Sequence, residues 1–460
     1  MHTTQSPSEN QGENTAVQDA ITDFIAHFHI GMLLNRSGIR KVRGARPLDI
    51  ITKLFSLPFL KTTLYWGIVR NQDLGYGKDA VYDIYKRSNF NWRALLLSLA
   101  AGIVRFFDPL TDTEREKVLI LDDSPIERPR SKAVELLARV YDHSTKQFIR
   151  GFRFMCLTWS DGVSTAPLDF ALLSSYKKKN RYQEESTTVD KRSCGYRRRT
   201  EARTKSTDLL ESMVKRAIRA GIKANYILMD SWFAFPSIIT KLSAHLPVIC
   251  MLKRMKTVFY TWRGQKYTLE GLFQRVPKHS GKSRILASVW VTITFGKKEK
   301  TVKIVFVRDS RKSDWLALLS TNTELADTEV VRIYGKRWDI EVFFKMSKQY
   351  LQLESGVQIR NFDGLIAHIT ITLMRYLFLS YRQRCDSDDR TLGELFIAGC
   401  EELRDITLLE ALHRILSLVA DALRKTELTS EQFVQNLIDA IMGEIIQKMN
   451  LKPCSAISHC

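Results

Sequence analysis

The sequence predicts an α/β fold flanked by helical regions, and three observations carry that prediction. Two wholly apolar runs, Val118–Leu121 and Tyr226–Met229, read as buried strands, and each is followed at once by aspartate. Around the second run, helix and strand patterns alternate in a β-α-β-α-β rhythm, which argues for parallel pairing. The stretch from Tyr334 to Lys348 reads as one helix in which Tyr334, Arg337, Glu341, Lys345 and Lys348 share a side. Ile340, Phe343, Phe344 and Leu351 form an apolar stripe beside them.

The elements follow in order. Met1 to Ala16 is polar and reads as a disordered tail, residues 1–16. Residues 17–112 read as helical, with amphipathic periods at Ala20–Leu34, Pro47–Phe55, Lys78–Arg87 and Trp92–Phe107. Arg36, Arg40, Lys41, Arg43, Arg46, Lys86, Arg87 and Arg93 recur between them. Short helices with basic turns suit a DNA-binding unit of helix-turn-helix character. From residue 113 the texture changes to strands. Val118–Leu121 stops at Asp122-Asp123-Ser124-Pro125, and further strands are predicted at Leu136–Tyr141, Phe148–Trp159 and Pro167–Leu173.

Tyr176 to Lys205 is the most basic segment and reads as a loop. Lys177, Lys178, Arg197, Arg198 and Arg199, interleaved with tyrosines, have the composition that tracks a phosphate backbone; a passive, solvated loop is the alternative. A helix at Thr207–Ala220, the strand at Tyr226–Met229, a helix at Ala234–Leu242 and a strand at Val248–Leu252 complete the rhythm. Residues 254–323 are rich in short strand patterns and read as a β-rich insertion. The long helix follows within Asp327–Leu353, and 363–460 is mostly amphipathic helix.

Bulk properties narrow the function classes. At 460 residues the chain can hold two to four domains. Lys and Arg total 70 against 50 for Asp and Glu, a net charge of +20, which favours a polyanionic partner, nucleic acid ahead of a membrane. The best candidate for a membrane span, Ala94–Phe107, is too short and contains Arg105, so no membrane partner is expected. The N-terminus lacks the pattern of a signal peptide. The 7 cysteines have no C-x-x-C spacing, as suits reduced thiols in a cytosolic protein.

Three acids from distant positions are the candidate catalytic set: Asp122 or Asp123, Asp230, and Glu341. Phosphodiester cleavage by two divalent ions needs only a few carboxylates, because Mg²⁺ prefers oxygen ligands and keeps several waters. Neighbouring cations are expected to keep those acids ionised and to hold substrate phosphates.

Tyr334, Arg337, Glu341 and Lys348 fit a Y-x(2)-R-x(3)-E-x(6)-K pattern, and Asp230–Phe233 reads D-S-W-F. On these residues the chain resembles the DDE transposases of bacterial insertion sequences, in the insertion-sequence-4 family. The resemblance runs from about Val118 to Leu353. It implies an RNase H-like, retroviral-integrase-like catalytic core over 113–362, in which Asp122, Asp230 and Glu341 bind two Mg²⁺ ions, with Mn²⁺ as a substitute. It implies cleavage of double-stranded DNA at transposon ends and strand transfer into target DNA. Tyr334, Arg337, Lys345 and Lys348 would contact DNA, and Trp315 or Trp338 would stack on a flipped base, with Trp338 favoured as core. A homodimer on paired ends and a prokaryotic cytoplasm, at the nucleoid, are implied as well. The D-x-S/T spacing to Ser124 favours Asp122 over Asp123, which stays open.

Overall fold

The computed structural model describes residues 16–40, 44–69, 76–111, 115–143, 145–279, 283–309, 314–385 and 440–441. The predicted tail, apart from Ala16, and the predicted C-terminal helices beyond Cys385, apart from residues 440–441, lie outside these residues.

Among the described residues five α-helices precede the sheet: α1 (Ala16–His27), α2 (Ile30–Arg36), α3 (Pro47–Ser56), α4 (Lys78–Lys86) and α5 (Trp92–Phe107). The helix expected over Ala20–Leu34 is divided between α1 and α2, because His29 takes a left-handed conformation with φ 49°. Proline opens α3, where its missing N–H costs nothing. The Asn91 side chain caps α5 by accepting from the Ala94 N–H. That helix is apolar because it is buried, packing on both β4 (Thr165–Leu173) and the later helix α12 (Phe362–Cys385).

The strands β1 (Val118–Glu127), β2 (Ala138–Asp142), β3 (Gln147–Ser160) and β4 form an antiparallel set. β1 lies against β3, and β3 also pairs with β2 and β4. On its other side β1 pairs in parallel with β5 (Tyr226–Met229), which pairs in parallel with β6 (Val248–Met251). Helices α6 (Cys194–Ala202) and α7 (Ser206–Arg219) lie between β4 and β5, and α8 (Pro236–Leu242) joins β5 to β6. An antiparallel set followed by two parallel strands is the RNase H-like core. Close contact of β3 with β1 requires Gly151, where a Cβ would fall 2.0 Å from the Ile126 carbonyl oxygen.

The β-rich insertion does not stand apart from this sheet. After β7 (Tyr260–Trp262), β8 (Gln265–Tyr267), α9 (Leu269–Arg275), β9 (Ile285–Phe295) and β10 (Lys298–Asp309), strand β11 (Asp314–Ser320) pairs antiparallel with β6. The result is one 11-stranded sheet. Helices α10 (Asp327–Gly335) and α11 (Trp338–Gln349) follow.

Helix α12 is the pillar between the N-terminal helices and the sheet, in contact with α3, α4, α5, α11 and β4. By length and apolarity it could cross a membrane, a feature the sequence reading did not pick out. Its apolar window is buried within the fold, so its composition reflects a core helix. Arg375 is buried here and donates to the carbonyls of Leu54, Phe55 and Leu351. Burial lowers its pKa to about 10, which still leaves it charged at neutral pH. His368, likewise buried, hydrogen-bonds the Gln352 carbonyl, and burial with Arg375 nearby lowers it to about 3, so it is neutral. Replacing Arg375 with Met strands three buried carbonyls. Arg375→Met should therefore cost about 3 kcal/mol or more of unfolding free energy, measured by chemical denaturation.

Candidate active site

The site begins with strand register. Val118 through Leu121 pair in step with Tyr226 through Met229, so the next residue of each strand is an aspartate, Asp122 and Asp230. Side chains in step on neighbouring parallel strands leave the sheet on the same face, about 4.8 Å apart. Beyond this point the partners diverge. β5 ends in a 3-10 turn at Ser231–Phe233, while β1 runs on to Glu127 along β3. The expectation that β1 stops at its carboxylates is thus corrected: antiparallel pairing to β3 continues to satisfy its backbone after the parallel partner has left. The sheet opens at Asp122, where strand ends in α/β sheets commonly place ligands.

Helix α11 supplies the third acid. The single helix expected from Tyr334 to Lys348 is instead two, α10 and α11, joined at Lys336–Arg337. Bonds from Lys336 N–H to Ile333, Arg337 to Tyr334, Asp339 to Lys336 and Ile340 to Arg337 all span three residues. Gly335, a weak helix former, sits at the joint. The tighter turn leaves Arg337 at the head of α11. Its Nη1 donates to Asp122 Oδ2 at 3.2 Å and its Nη2 to Glu341 Oε1 at 2.5 Å. One guanidinium thus ties the first strand-end acid to the helix acid.

Asp123 faces elsewhere, as alternation along a strand requires. Arg153 Nη1 donates to its Oδ1 at 2.7 Å, and its buried Oδ2 has no hydrogen-bond partner among the described residues. Arg153 carried no sequence signal, since it reaches Asp123 only through the β1–β3 pairing.

The electrostatics depart from expectation. Burial first, then the charges of Asp123 and Asp230, push the Asp122 carboxyl up to about 8, although Arg337 and the Asp123 N–H oppose them. Burial likewise raises Asp123 against the pull of Arg153. Neighbouring cations therefore do not keep Asp122 ionised; desolvation and like-charge crowding outweigh them. Burial works against the charge on Arg337 too, but Tyr334, Glu341 and Asp122 together hold its pKa above the ordinary value. The Tyr334 hydroxyl is buried without a hydrogen-bond partner among the described residues. Burial, reinforced by Asp230 and Asp122, raises its pKa.

Among the described residues, no three His, Cys, Asp or Glu side chains form a group arranged to hold a metal. The chemistry still suits a hard divalent cation. The donors are carboxylate oxygens, and one of them, Asp122, lacks enough positive charge nearby to ionise at neutral pH.

The remaining sequence-predicted residues divide. Lys348 Nζ donates to the Pro125 carbonyl at 2.6 Å and pairs with Glu354 at 3.0 Å, bracing α11 against β1. Lys345 is exposed and lines a cleft of ≈ 750 Å³ with Trp338, Glu341 and Gln349. Trp338 is half-exposed, contrary to its expected place in the core, because it begins α11 beyond the joint. Trp315 has Phe273 stacked on it at 4.4 Å and the Arg254 guanidinium 3.9 Å from its ring centre, so its ring is already engaged. Lys177, Lys178 and Arg197 are exposed. Arg198 and Arg199 are not: they lie on α6 rather than in a loop, are buried, and pair with Asp363, Arg199 also with Glu135 at 2.6 Å. Their expected DNA contact is corrected, since helical spacing turns these two inward and leaves Arg197 outside. Arg93, expected among the exposed basic residues, pairs instead with Asp169 and Glu201.

With this geometry in view, the family assignment follows. A family model described as DDE superfamily endonuclease matches residues 68–309, more than half of the chain. The chain belongs to the DDE superfamily endonucleases. The matched region of this DDE endonuclease contains Asp122, Asp123 and Asp230 and ends before Glu341. No curated protein matches the chain. Among solved structures it aligns with the Drosophila P element transposase strand transfer complex. That alignment has 9% sequence identity, covers 94% of this chain and 88% of that one, and has a TM-score of 0.21.

Two outcomes are expected. The raised Asp122 pKa means the folded state prefers the proton. Its contribution to stability is thus intact below the ordinary carboxyl pKa of about 4 and is lost as pH rises toward about 8. In metal-free buffer, the melting temperature of Asp122→Asn should fall less between pH 5 and 8 than that of the parent, on the order of one pKa-driven step. Arg199→Ala leaves Glu135 and Asp363 short of a buried partner and should cost about 3–5 kcal/mol, whereas exposed Arg197→Ala should stay within about 0.5 kcal/mol, by denaturant titration.

Proposed function

We propose that this DDE endonuclease is a transposase of the insertion-sequence-4 type that cuts DNA at the ends of its element and joins those ends to target DNA. The observation that carries the reading is that Asp122 and Glu341 share the Arg337 guanidinium while the β1–β5 register sets Asp230 beside Asp122. Asp122 is chosen over Asp123 because it shares Arg337 with Glu341, while Asp123 is held by Arg153. Asp122, Asp230 and Glu341 would hold two divalent ions, Mg²⁺ or in its place Mn²⁺, which would sharpen the attacking oxygen as a nucleophile and stabilise the leaving one.

The chain's own residues perform the rest. Asp122 gives up its proton when positive charge arrives, since burial and like charges are what keep it protonated. Arg337, which bridges the two acids here, is then free to turn toward a backbone phosphate, where a guanidinium binds bidentately. Lys345, Lys177, Lys178 and Arg197 are exposed cations suited to neutralise further phosphates. Water attacks first, releasing a DNA 3′-hydroxyl, and that hydroxyl attacks target DNA in the joining step. The N-terminal helices within 17–112 would bind the element ends, and two copies would act on paired ends. On this reading the protein would act at the prokaryotic nucleoid.

Purified protein with Mg²⁺ should both cut and join duplexes that carry the terminal repeats flanking its gene. Glu341→Gln should lower cutting by roughly 100-fold or more, about 3 kcal/mol at the barrier, while end binding in a gel-shift assay persists. Cut product without any joined product would reduce the protein to a nuclease. Full joining by Glu341→Gln would remove Glu341 from the site.

A further inference from the structure

An exposed line of rings and cations leads away from the carboxylates. Phe148 and Tyr141 face each other across the β2–β3 hairpin with ring centres 5.1 Å apart. The His143 ring follows at 5.0 Å from Tyr141, and Trp232 at 4.4 Å from His143. A cation closes each end. The Arg139 guanidinium lies 3.9 Å from the Phe148 ring centre, and Lys253 Nζ lies 5.5 Å from that of Trp232.

Hairpin stability explains only part of this arrangement. A facing Tyr–Phe pair strengthens a hairpin whether or not its outer surface is open. Here Phe148 is 56% exposed and Trp232, from a different element, is 40% exposed. Burial and the charges of Arg153 and Lys253 lower the His143 pKa, so the ring at the centre is uncharged at neutral pH. Asp142, the acid within the hairpin, is buried and accepts from the Thr145 hydroxyl, so its carboxylate is not part of the exposed surface, although its charge reaches His143.

We propose that this line binds single-stranded DNA, its bases lying against Phe148, His143 and Trp232 and its phosphates against Arg139 and Lys253. Partly exposed rings flanked by cations are the surface on which unpaired bases stack; a duplex keeps its base faces to itself. The position fits a strand passing the cutting site. Trp232 stands two residues past Asp230, and His143 is close enough to Asp123 and Arg153 to feel their charges. The assignment to DNA rests on the proposed cutting of DNA by Asp122, Asp230 and Glu341.

The test is fluorescence anisotropy of the full chain with a labelled thymidine oligonucleotide of about 12 nucleotides, and with the duplex of the same length, over a series of salt concentrations. Phe148→Leu and Trp232→Leu keep an apolar side chain and the net charge, and an unchanged melting temperature verifies the fold. Each should weaken single-strand binding about 10-fold with an unchanged salt slope, while duplex binding changes little. Lys253→Gln should instead lower the single-strand salt slope by roughly 0.7. Single-strand affinity equal to the parent in both ring variants overturns the proposal. So does an equal loss for duplex, which would make the line a duplex-binding surface. A parent that binds single strands through these rings but fails to cut duplex ends with Mg²⁺ would sink the cutting reading and leave the binding line standing.

Discussion

The parallel pairing of β1 with β5 is the constraint on which the site depends. Val118–Leu121 and Ile227–Met229 are fully buried on both faces, so a slip of one residue would carry a charged neighbour, Lys117 or Asp122 on β1, into that core. Burial therefore fixes the register, and the register sets Asp122 and Asp230 side by side where the parallel partner ends. At the edge of the core Asp122 loses hydration and meets the charge of Asp123 and, more weakly, that of Asp230, which is why it resists ionisation. Arg337 supplies part of the missing charge and in doing so recruits Glu341. The arrangement of the site follows from where hydrogen-bonded strands part.

A second set of buried charges holds the frame around that opening. Arg198 and Arg199 meet Asp363 at the start of α12, and Glu135 accepts from Arg199 and from the Phe362 N–H. Arg375, further along the same helix, satisfies carbonyls at the end of α3 and after α11. Breaking such contacts costs more than forming them stabilises, because each leaves a buried polar group unpaired. They specify how α12 seats against its neighbours. Arg198 and Arg199 against Glu135 and Asp363 cancel to zero, so the net charge of +20 offered to a polyanion rests on other residues. Among the exposed cations, Lys345 lines the cleft with Glu341, and Arg139 and Lys253 flank the aromatic line.

The sequence by itself determined most of the elements and pointed to the acids of the candidate site. Apolar runs and helical periods located β5, β6, α3, α5 and α7 closely, and the start of β1, because burial writes a period into the chain wherever one face meets a core. The strand patterns of the insertion were also legible, as was the fact that Asp122 and Asp230 stand at the ends of buried runs. Tertiary structure decided what local pattern cannot encode. The split of the Tyr334–Lys348 helix follows from tight three-residue bonds at Lys336–Arg337, the continuation of β1 past Asp122 from its pairing with β3, and the continuity of the insertion with the core sheet from the β6–β11 pairing. The same holds for charge. Arg197, Arg198 and Arg199 are indistinguishable as neighbours in a basic run, and only helix phase against Glu135 and Asp363 makes two of them structural and one exposed. Whether a charged side chain meets water, an acid or a ring depends on what the rest of the chain brings to it, and that information lies in contacts between residues far apart in sequence.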